Sequence, residues 1–563
     1  MKTRLLLSGL LCILFGVLTA QQYAAFRYAY HPSLGWEAFS YQGVPVYWPG
    51  ALFGWYARYG ARDVNLYRAS ALIGGATALG LAALCYLLAS HCSRQPPTQT
   101  SHGTARWADL EDVKKMGLMG EDYTRLGFVS QNHQNGPPEK SPKPYGIVLG
   151  KFQKQTLVHH GEEHVLLVGP PRTGKGAGVI VPTLLSYQAS CLIHDIKGEN
   201  YAITGKWRST FSRVLAFEPT SSVSTRYNPL AEVRLGENEV RDAQNVADIL
   251  VDPDGSRDRR DHWEKTSHSL LVGTILHVLY SRQDKTLAGV SRFLADPHRT
   301  FDDTLEEMIN SNHPVIVSVA RELHNKSSNE LSGVLSTAMS FLGLYRDPVI
   351  ANATSASDFR ISDLRDGKEP VSLYLIIPPS DLSRTRPLIR MMLNQIMRRL
   401  TEQIDPRSRP LLLVLDEFPA LGRLDFFEQE LAYLPGYGIR ALVAAQSLNQ
   451  IDRHYGRDNT VMDACQTRVI FAPNDDHTAR RISSLLGQAT VEAESHTRRR
   501  EFLELVHDMK YANVSHTGRP LLTPGEVGQL GKDDEIVMVA GYPPILARKI
   551  RYWEEKEYKG KAI

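Results

Sequence analysis

The chain has 563 residues, a formal net charge of +3 and a pI near 8.4. That length supplies two or three packed domains, and the charge is too balanced to argue nucleic-acid binding by itself. The five cysteines are scattered without metal-ligand spacing, which excludes a disulfide scaffold and fits a reducing compartment.

Residues 5–20, LLLSGLLCILFGVLTA, are uncharged and follow Lys2 and Arg4. The run is short for a bilayer and shares features with a signal peptide, with LTA before Gln21 as a cleavage site. Extension to about residue 25 gives a workable span. Residues 69–89, ASALIGGATALGLAALCYLLA, are uncharged and long enough for a second span. Ala71/Gly75 and Ala76/Gly80 sit four apart, the spacing of tight helix packing in lipid. Residues 26–68 between the spans carry Trp36, Trp48 and Trp55 among many tyrosines and read as a periplasmic segment with an interfacial aromatic belt. Residues 1–95 therefore read as a membrane domain. Residues 96–145, with Pro96, Pro97 and NGPPEKSPKP at 135–144, read as a linker and lead-in that holds a short helix near 109–119.

From residue 145 the pattern is α/β. GIVLG, HVLLV, CLIHD, RVLAF, VSLYLII, LLLVLDE, IRALVAA and RVIFA are short aliphatic runs alternating with helical stretches, as in a parallel-rich sheet covered on both faces. Between 238 and 360 helical periodicity takes over without a strand signal. An all-α domain is thus expected between two parts of the sheet domain, 146–237 and 361–563. EIVMVAGYPPILARKIRYW reads as a terminal hairpin turning at 542–544.

The chemistry centres on GPPRTGKG: Gly169, Pro170, Pro171, Arg172, Thr173, Gly174, Lys175 and Gly176, directly behind the HVLLV strand. G-x-x-x-x-G-K after a strand is a phosphate-binding loop. Its glycines permit close backbone approach, its N–H groups and the following helix N-terminus surround a phosphate, and Lys175 supplies a point charge. Gly176 stands where such loops carry a Ser or Thr ligand for Mg2+, which moves that role to Thr173 or to a carboxylate elsewhere. LLLVLDEF delivers Asp416 and Glu417 at the carboxyl edge of its strand, where open α/β sheets bind ligands. Asp416 would hold Mg2+, and Glu417 would orient and deprotonate an attacking water. Gln446 ends the next strand and would touch the γ-phosphate or that water; the plainer reading is a helix start capped by Ser447. HDIKGEN brings Asp195, Lys197 and Glu199 to the same edge, as site residues or as solvated charges. Pro182, in the second turn of the helix after the loop, predicts a bend.

The ordered set GPPRTGKGAG, DIKGE, YNPL, LLVLDEFPALG, AAQSLNQ and TRVIFAPND resembles the type IV secretion coupling proteins, the TraG-like family, over essentially the whole chain. The resemblance implies a RecA-like P-loop ATPase domain, an inserted all-α domain and two N-terminal transmembrane helices. It implies residence in the bacterial inner membrane, the bulk of the chain cytoplasmic, and a homo-hexamer. ATP and Mg2+ are the implied cofactors. The implied partners are the type IV secretion apparatus and its cargo, relaxase–DNA complexes or effector proteins recruited through the all-α domain. By position, Lys175 and Thr173 belong to the family's first motif, Asp416 and Glu417 to its second and Gln446 to its third. Ring ATPases often complete such a site with a neighbour's arginine; Arg468 and Arg423 are the candidates. A stand-alone membrane-anchored DNA-translocating motor is the alternative. A non-hydrolysing receptor is a further one, which intact Lys175, Asp416 and Glu417 disfavour.

Overall fold

A computed structural model describes residues 2–92, 103–119, 145–252, 261–496 and 512–562. The proline-rich stretches at 96–97 and 135–144 lie outside the described residues. The chain divides into two compact units, Met1–Thr100 and Ser101–Ile563.

The first unit is built on helices Lys2–Arg27 and Val64–Cys92. Each holds a window long and apolar enough to cross a membrane, Gly9–Arg27 and Val64–Cys85. The helices meet where side chains vanish. A Cβ on Gly16 would lie 2.5 Å from the Gly74 carbonyl oxygen, and one on Gly74 would lie 2.6 Å from that of Gly16. Ala20 and Ala78 flank this crossing. The small-residue pairs expected from the sequence are out of phase with it, since a Cβ on Gly75 or Gly80 would meet nothing within 4 Å. A helix turns about 100° per residue, so Gly74 faces the neighbour and Gly75 does not.

Between these helices lie a hairpin, β1 (Glu37–Tyr41) and β2 (Val44–Tyr47), and helix Ala51–Tyr59. Trp36 is 96% exposed and Trp48 68%, as a belt requires, but Trp55 is 3% exposed. Its indole N–H donates to the Leu34 carbonyl at 2.7 Å, and its ring meets Tyr47 edge-on at 4.9 Å. Trp55 is therefore a core residue of a small folded cap and not part of a belt. Gln21 ties that cap to the first helix: its side chain donates to the Tyr47 carbonyl at 2.9 Å and accepts from Leu52 N–H at 3.3 Å.

In the second unit, helix Leu110–Lys115 opens on a capping box made by Asp109 and Asp112. The strands follow: β3 (Ile147–Phe152), β4 (Gln155–His159), β5 (Val165–Val168), β6 (Ser190–Asp195), β7 (Arg213–Phe217), β8 (Val371–Ile376), β9 (Leu411–Leu415), β10 (Ile439–Ala445) and β11 (Thr467–Ile470). A separate antiparallel ribbon, β12 (Gln488–His496) with β13 (Ala512–Pro520), precedes the hairpin β14 (Asp534–Val539) and β15 (Ile545–Arg548). The large sheet has 11 strands in the order β4-β3-β15-β14-β11-β5-β10-β9-β6-β8-β7. From β11 to β7 every neighbour is parallel. The β14, β15, β3 and β4 margin is antiparallel.

Each central strand is buried on both faces, which is why these runs are continuously aliphatic. Leu166 and Val168 of β5 pack with Leu411, Leu413 and Leu415 of β9 in one core; Val165, Leu167, Leu412 and Val414 pack in the other. Between β7 and β8 the described residues form no strand. Helices Glu239–Val251, His262–Ser281 and Ser328–Phe341 of this insertion contribute Val246, Leu271, Leu276 and Val334 to the first core. The insertion and one face of the sheet thus share a single apolar interior.

The helix after β5 absorbs its proline by changing hydrogen-bond register. Gly176–Ile180 is a π-turn, closed by Val181 N–H bonding to the Gly176 carbonyl, and Val181–Ser186 continues as α-helix. Its carboxyl end is gathered by Arg208, which is fully buried. The guanidinium donates to the carbonyls of Leu184, Tyr187 and Ala189 at 2.8, 2.7 and 2.8 Å and to Ser372 Oγ at 2.7 Å. This is a cation where the helix dipole is negative. Arg208→Met leaves the Leu184 and Tyr187 carbonyls without this donor and the Ala189 carbonyl with only the weak Cys191 thiol at 3.7 Å. At about 1–3 kcal/mol for each unsatisfied group, denaturant unfolding of the solubilised protein should show a loss of about 3 kcal/mol or more. Arg208→Lys should recover little of it, because one ammonium lacks the planar fork. Parent-like stability of Arg208→Met would show that the clamp is dispensable.

Candidate phosphate-binding site

Strand register gathers the site. Val168 lies beside Ala445 and Ile470, and Leu415 lies beside Val443 and His194. Gly169, Gln446 and Asp416 therefore leave one edge of the sheet, each just past the carboxyl end of a parallel strand, and Asp195 is the last residue of β6 at the same edge. Gly169 N–H donates to the Ala445 carbonyl at 3.1 Å, which fixes where the loop begins.

Two glycines of the loop face open space. Gly174 has φ +97°, and a Cβ there or on Gly176 would meet nothing within 4 Å. Bare backbone beside open space is the geometry a phosphate needs. Gly169 is required for packing instead, since its Cβ would meet Phe471 Cβ at 2.9 Å and Thr173 Oγ1 at 3.0 Å. Pro170 is buried, while Pro171 and Arg172 are exposed, Arg172 with φ +62°. Lys175 folds under its own loop, donating to the carbonyls of Gly169 at 2.5 Å and Pro170 at 3.4 Å. Burial lowers its pKa, against the opposing pull of Glu417 and Asp416. The result is a desolvated ammonium held only by main-chain carbonyls. Thr173 Oγ1 donates to the Pro170 carbonyl at 2.6 Å, so its proton is committed within the loop and only its lone pairs remain to offer a metal.

Facing the loop is a group of acids. Burial raises the Asp416 pKa, Lys175 opposes the rise, and Glu417 adds to it; Asn200 Nδ2 lies 3.5 Å from Asp416 Oδ2. Asp195, buried on the adjacent strand, is pushed up to about 6 by burial, although Tyr201 N–H donates to it at 2.8 Å. The HDIKGEN segment thus divides. Asp195 and Asn200 turn inward, whereas Lys197 and Glu199 form an exposed pair at 3.7 Å. Glu417 adopts the left-handed conformation, φ 56° and ψ 52°. For a residue other than glycine this costs about 1–3 kcal/mol and is sustained by the surroundings. Here the following Phe418 is buried and stacked on Tyr455 at 5.4 Å. Ser447 stands at the helix start but makes no capping bond. The Gln450 side chain accepts from Gln446 N–H and Thr478 Oγ1 accepts from Leu448 N–H, both at 3.0 Å, so the Gln446 backbone is pinned beside the loop.

The arginine candidates are engaged within their own chain. Arg468 donates to the carbonyls of Cys465 at 3.1 Å and Met462 at 2.9 Å, and Arg423 lies 3.8 Å from Glu428. Among the described residues no group of three or more His, Cys, Asp or Glu forms a metal cage.

Two residues at the site were not singled out from the sequence. His194 is buried, its pKa lowered to about 4 by burial, and its Nδ1–H donates to the Asp416 carbonyl at 2.8 Å. The signal was there, a lone polar residue inside an aliphatic strand. Lys549 donates to the Thr173 carbonyl at 3.3 Å, and nothing local in the sequence announces it.

Asp195 generates a pH prediction. Its folded pKa of about 6 exceeds the ordinary 3.8. Its protonated form therefore contributes stability that is fully present below about pH 4 and lost as pH rises through about 6, worth about 3 kcal/mol in all. Asp195→Asn should not show this loss. Unfolding free energies of both proteins from about pH 4 to 7 should diverge by about that amount in favour of the variant. A difference that stays flat with pH would place the titration elsewhere.

The family model for type IV secretory system conjugative DNA transfer matches residues 106–563. Two Escherichia coli proteins described as conjugal transfer protein TraG are 37% and 36% identical to the chain; they cover 100% and 97% of it over 93% and 91% of their own length. Protein VirD4 of Rhizobium radiobacter is 29% identical over 82% of this chain and 65% of its own. Among solved structures, the bacterial conjugative coupling protein TrwBdeltaN70 in complex with sulphate aligns at TM-score 0.57 and 18% identity, covering 81% of this chain and 96% of that one. The plasmid coupling protein TrwB in complex with ADP and Mg2+ aligns at TM-score 0.56 and 18% identity, covering 79% and 94%. These likenesses establish the RecA-like fold. The chain belongs to the type IV secretory system conjugative DNA transfer family.

Proposed function

We propose that the protein is an inner-membrane coupling ATPase. It recruits relaxase–DNA complexes or effector proteins and delivers them to a type IV secretion apparatus, using ATP binding and hydrolysis. One observation carries this reading: Lys175, Asp416, Glu417 and Gln446 share one sheet edge in a chain 37% identical, end to end, to a conjugal transfer protein. The solved TrwB structures bind ADP with Mg2+ and an ATP analogue, which supports the choice of nucleotide.

When bound, ATP supplies the phosphoryl group that is transferred to water. The residues of this chain do the rest. The open backbone at Gly174 and Gly176 receives phosphate oxygens, and Lys175 exchanges weak carbonyl partners for them. Asp416 would hold Mg2+; a cation there would offset the burial and the Glu417 charge that raise its pKa. Glu417 takes the proton of the attacking water, and Gln446 orients that water. Residues 1–95 anchor the protein as a multi-pass membrane domain, and 96–145 link it to the nucleotide domain of 146–237 and 361–563. Residues 238–360 recruit cargo, and the working assembly is a homo-hexamer.

Lys175→Ala and Glu417→Gln should fail differently. Lys175 contacts phosphates in the bound state, so its loss weakens nucleotide affinity itself. Glu417 acts in the transition state, so Glu417→Gln keeps ATP bound and lowers turnover roughly 10²–10⁴-fold, about 3–5 kcal/mol. ATP affinity and turnover on both variants decide the matter, and parent-rate hydrolysis by Glu417→Gln would remove Glu417 from the role. A second test concerns cargo. The insertion shares its core with the sheet, so only exposed positions of helices Phe301–Ile309 and Pro314–His324 should be exchanged with a relative's. Cargo choice should change while ATP affinity stays; unchanged cargo in transfer assays would refute the assignment.

A further inference from the structure

We propose that Lys549 is a positioning residue of the phosphate loop: its ammonium holds the Thr173–Gly174 peptide so that the Gly174 N–H faces the bound anion. The inference rests on the nucleotide reading of the loop given above.

The carboxyl-terminal hairpin delivers this lysine. Lys549 follows β15, and its backbone N–H donates to the Asp533 carbonyl at 2.8 Å, which fixes its place across the hairpin. Its Nζ donates to the Thr173 carbonyl at 3.3 Å and lies 4.2 Å from the centre of the Phe471 ring. Phe471 in turn packs against Gly169, and its N–H donates to the Val168 carbonyl at 2.8 Å. Lysine and phenylalanine thus hold the loop at Thr173 and at Gly169.

A trans peptide points its C=O and N–H in opposite directions. A donor that fixes the Thr173 carbonyl therefore fixes the Gly174 N–H on the other side. Gly174, with φ +97° and no neighbour at its Cβ position, gives that peptide freedom to rotate. An oriented N–H at a phosphate site thus needs an outside restraint, and Lys549 supplies one.

A second observation sets this lysine apart from an ordinary structural residue. Glu535 on β14 is fully buried, and neither carboxylate oxygen has a hydrogen-bond partner. Gly150 presses on it so closely that a Cβ would overlap Glu535 Oε1. Lys549 is the charge that opposes the burial effect on Glu535, and Glu535 is the first charge to support Lys549. A buried, unpartnered carboxyl beside a half-buried ammonium is costly as packing, and apolar residues of the same volume would be more stable. That cost fits a role in keeping the lysine beneath the loop.

The test is titration of the solubilised full chain with fluorescent mant-ADP and Mg2+. Lys549→Met should bind roughly 10- to 100-fold more weakly, the range for losing a charge-assisted hydrogen bond. Lys549→Arg keeps a donor and should retain most of the affinity; Lys559→Met, on the exposed terminal helix, should bind like the parent. If Lys549→Met unfolds, the double variant Lys549→Met/Glu535→Gln removes the orphaned carboxyl and should fold and still bind weakly. Displacement of mant-ADP by inorganic pyrophosphate should weaken in parallel, because the restraint acts on the phosphate cradle. Parent-like mant-ADP affinity in Lys549→Met or in the double variant would overturn the inference. So would weakened mant-ADP binding with unaltered pyrophosphate binding. A parent chain that does not bind mant-ADP would overturn the nucleotide reading instead.

Discussion

Main-chain register between parallel strands is the constraint on which the rest depends. The ladder β5-β10-β9-β6 pairs Val168 with Ala445, Val443 with Leu415 and Leu415 with His194. Whatever follows each strand must emerge at one edge. A phosphate loop, a glutamine and two aspartates become neighbours although they lie up to 277 residues apart in sequence, from Gly169 to Gln446. A slip of one residue in any strand would turn its whole aliphatic set to the wrong face. The two apolar cores therefore enforce the alignment that the site needs.

The edge so formed is electrostatically unsatisfied. Asp195 and Asp416 both have raised pKa values, each pushed first by burial and further by the other acids. Lys175 is pushed the opposite way by burial, with main-chain carbonyls as its hydrogen-bond partners. Both kinds of shift disfavour the charged form, and a phosphate with its metal ion would reverse both. Stability is thus given up in the free protein at the place where ligand binding can return it, as preorganised sites generally require. The left-handed Glu417 belongs to the same account, a strained backbone carrying the side chain expected to handle a proton.

Much of this was legible in the sequence, and the exceptions have physical reasons. All eight runs are strands; burial on both faces keeps the central ones continuously aliphatic, whereas GIVLG lies in the antiparallel margin and RVLAF is the edge strand. The β12–β13 ribbon was not seen, because its alternation is polar and main-chain pairing holds it. The phosphate loop was visible because its chemistry is local to eight residues. Arg208, His194 and Lys549 were not, because each acts on a carbonyl that only the folded chain brings near. Helix phase was also beyond the sequence. Gly74 and Gly75 look alike, and only packing reveals that Gly74 makes the crossing. Trp55 misled for a related reason: an aromatic in a segment between spans serves equally as belt or core, and its hydrogen bond to Leu34 decides.

The shared interior bears on how events at the sheet edge reach the inserted helices. The turn that follows Glu417, Phe418–Leu421, is bonded to helix Leu382–Leu400 through Arg390, whose buried guanidinium donates to the carbonyls of Leu421 at 3.3 Å and of Arg423. The same helix holds the segment that leads into the insertion: Tyr227 Oη donates to Gln395 Oε1 at 2.8 Å, and Gln395 Nε2 donates to the Pro229 carbonyl at 2.9 Å. A buried donor cannot leave its carbonyl without a cost of about 1–3 kcal/mol. The turn, the helix and the Tyr227–Pro229 segment therefore move as one body or lose these bonds. A close-packed core cannot deform continuously, so displacement of Glu417 must be passed on or resisted as a unit. The turn after Glu417 and the segment that leads into the insertion are joined by four hydrogen bonds and one helix, a shorter connection than their separation in sequence implies.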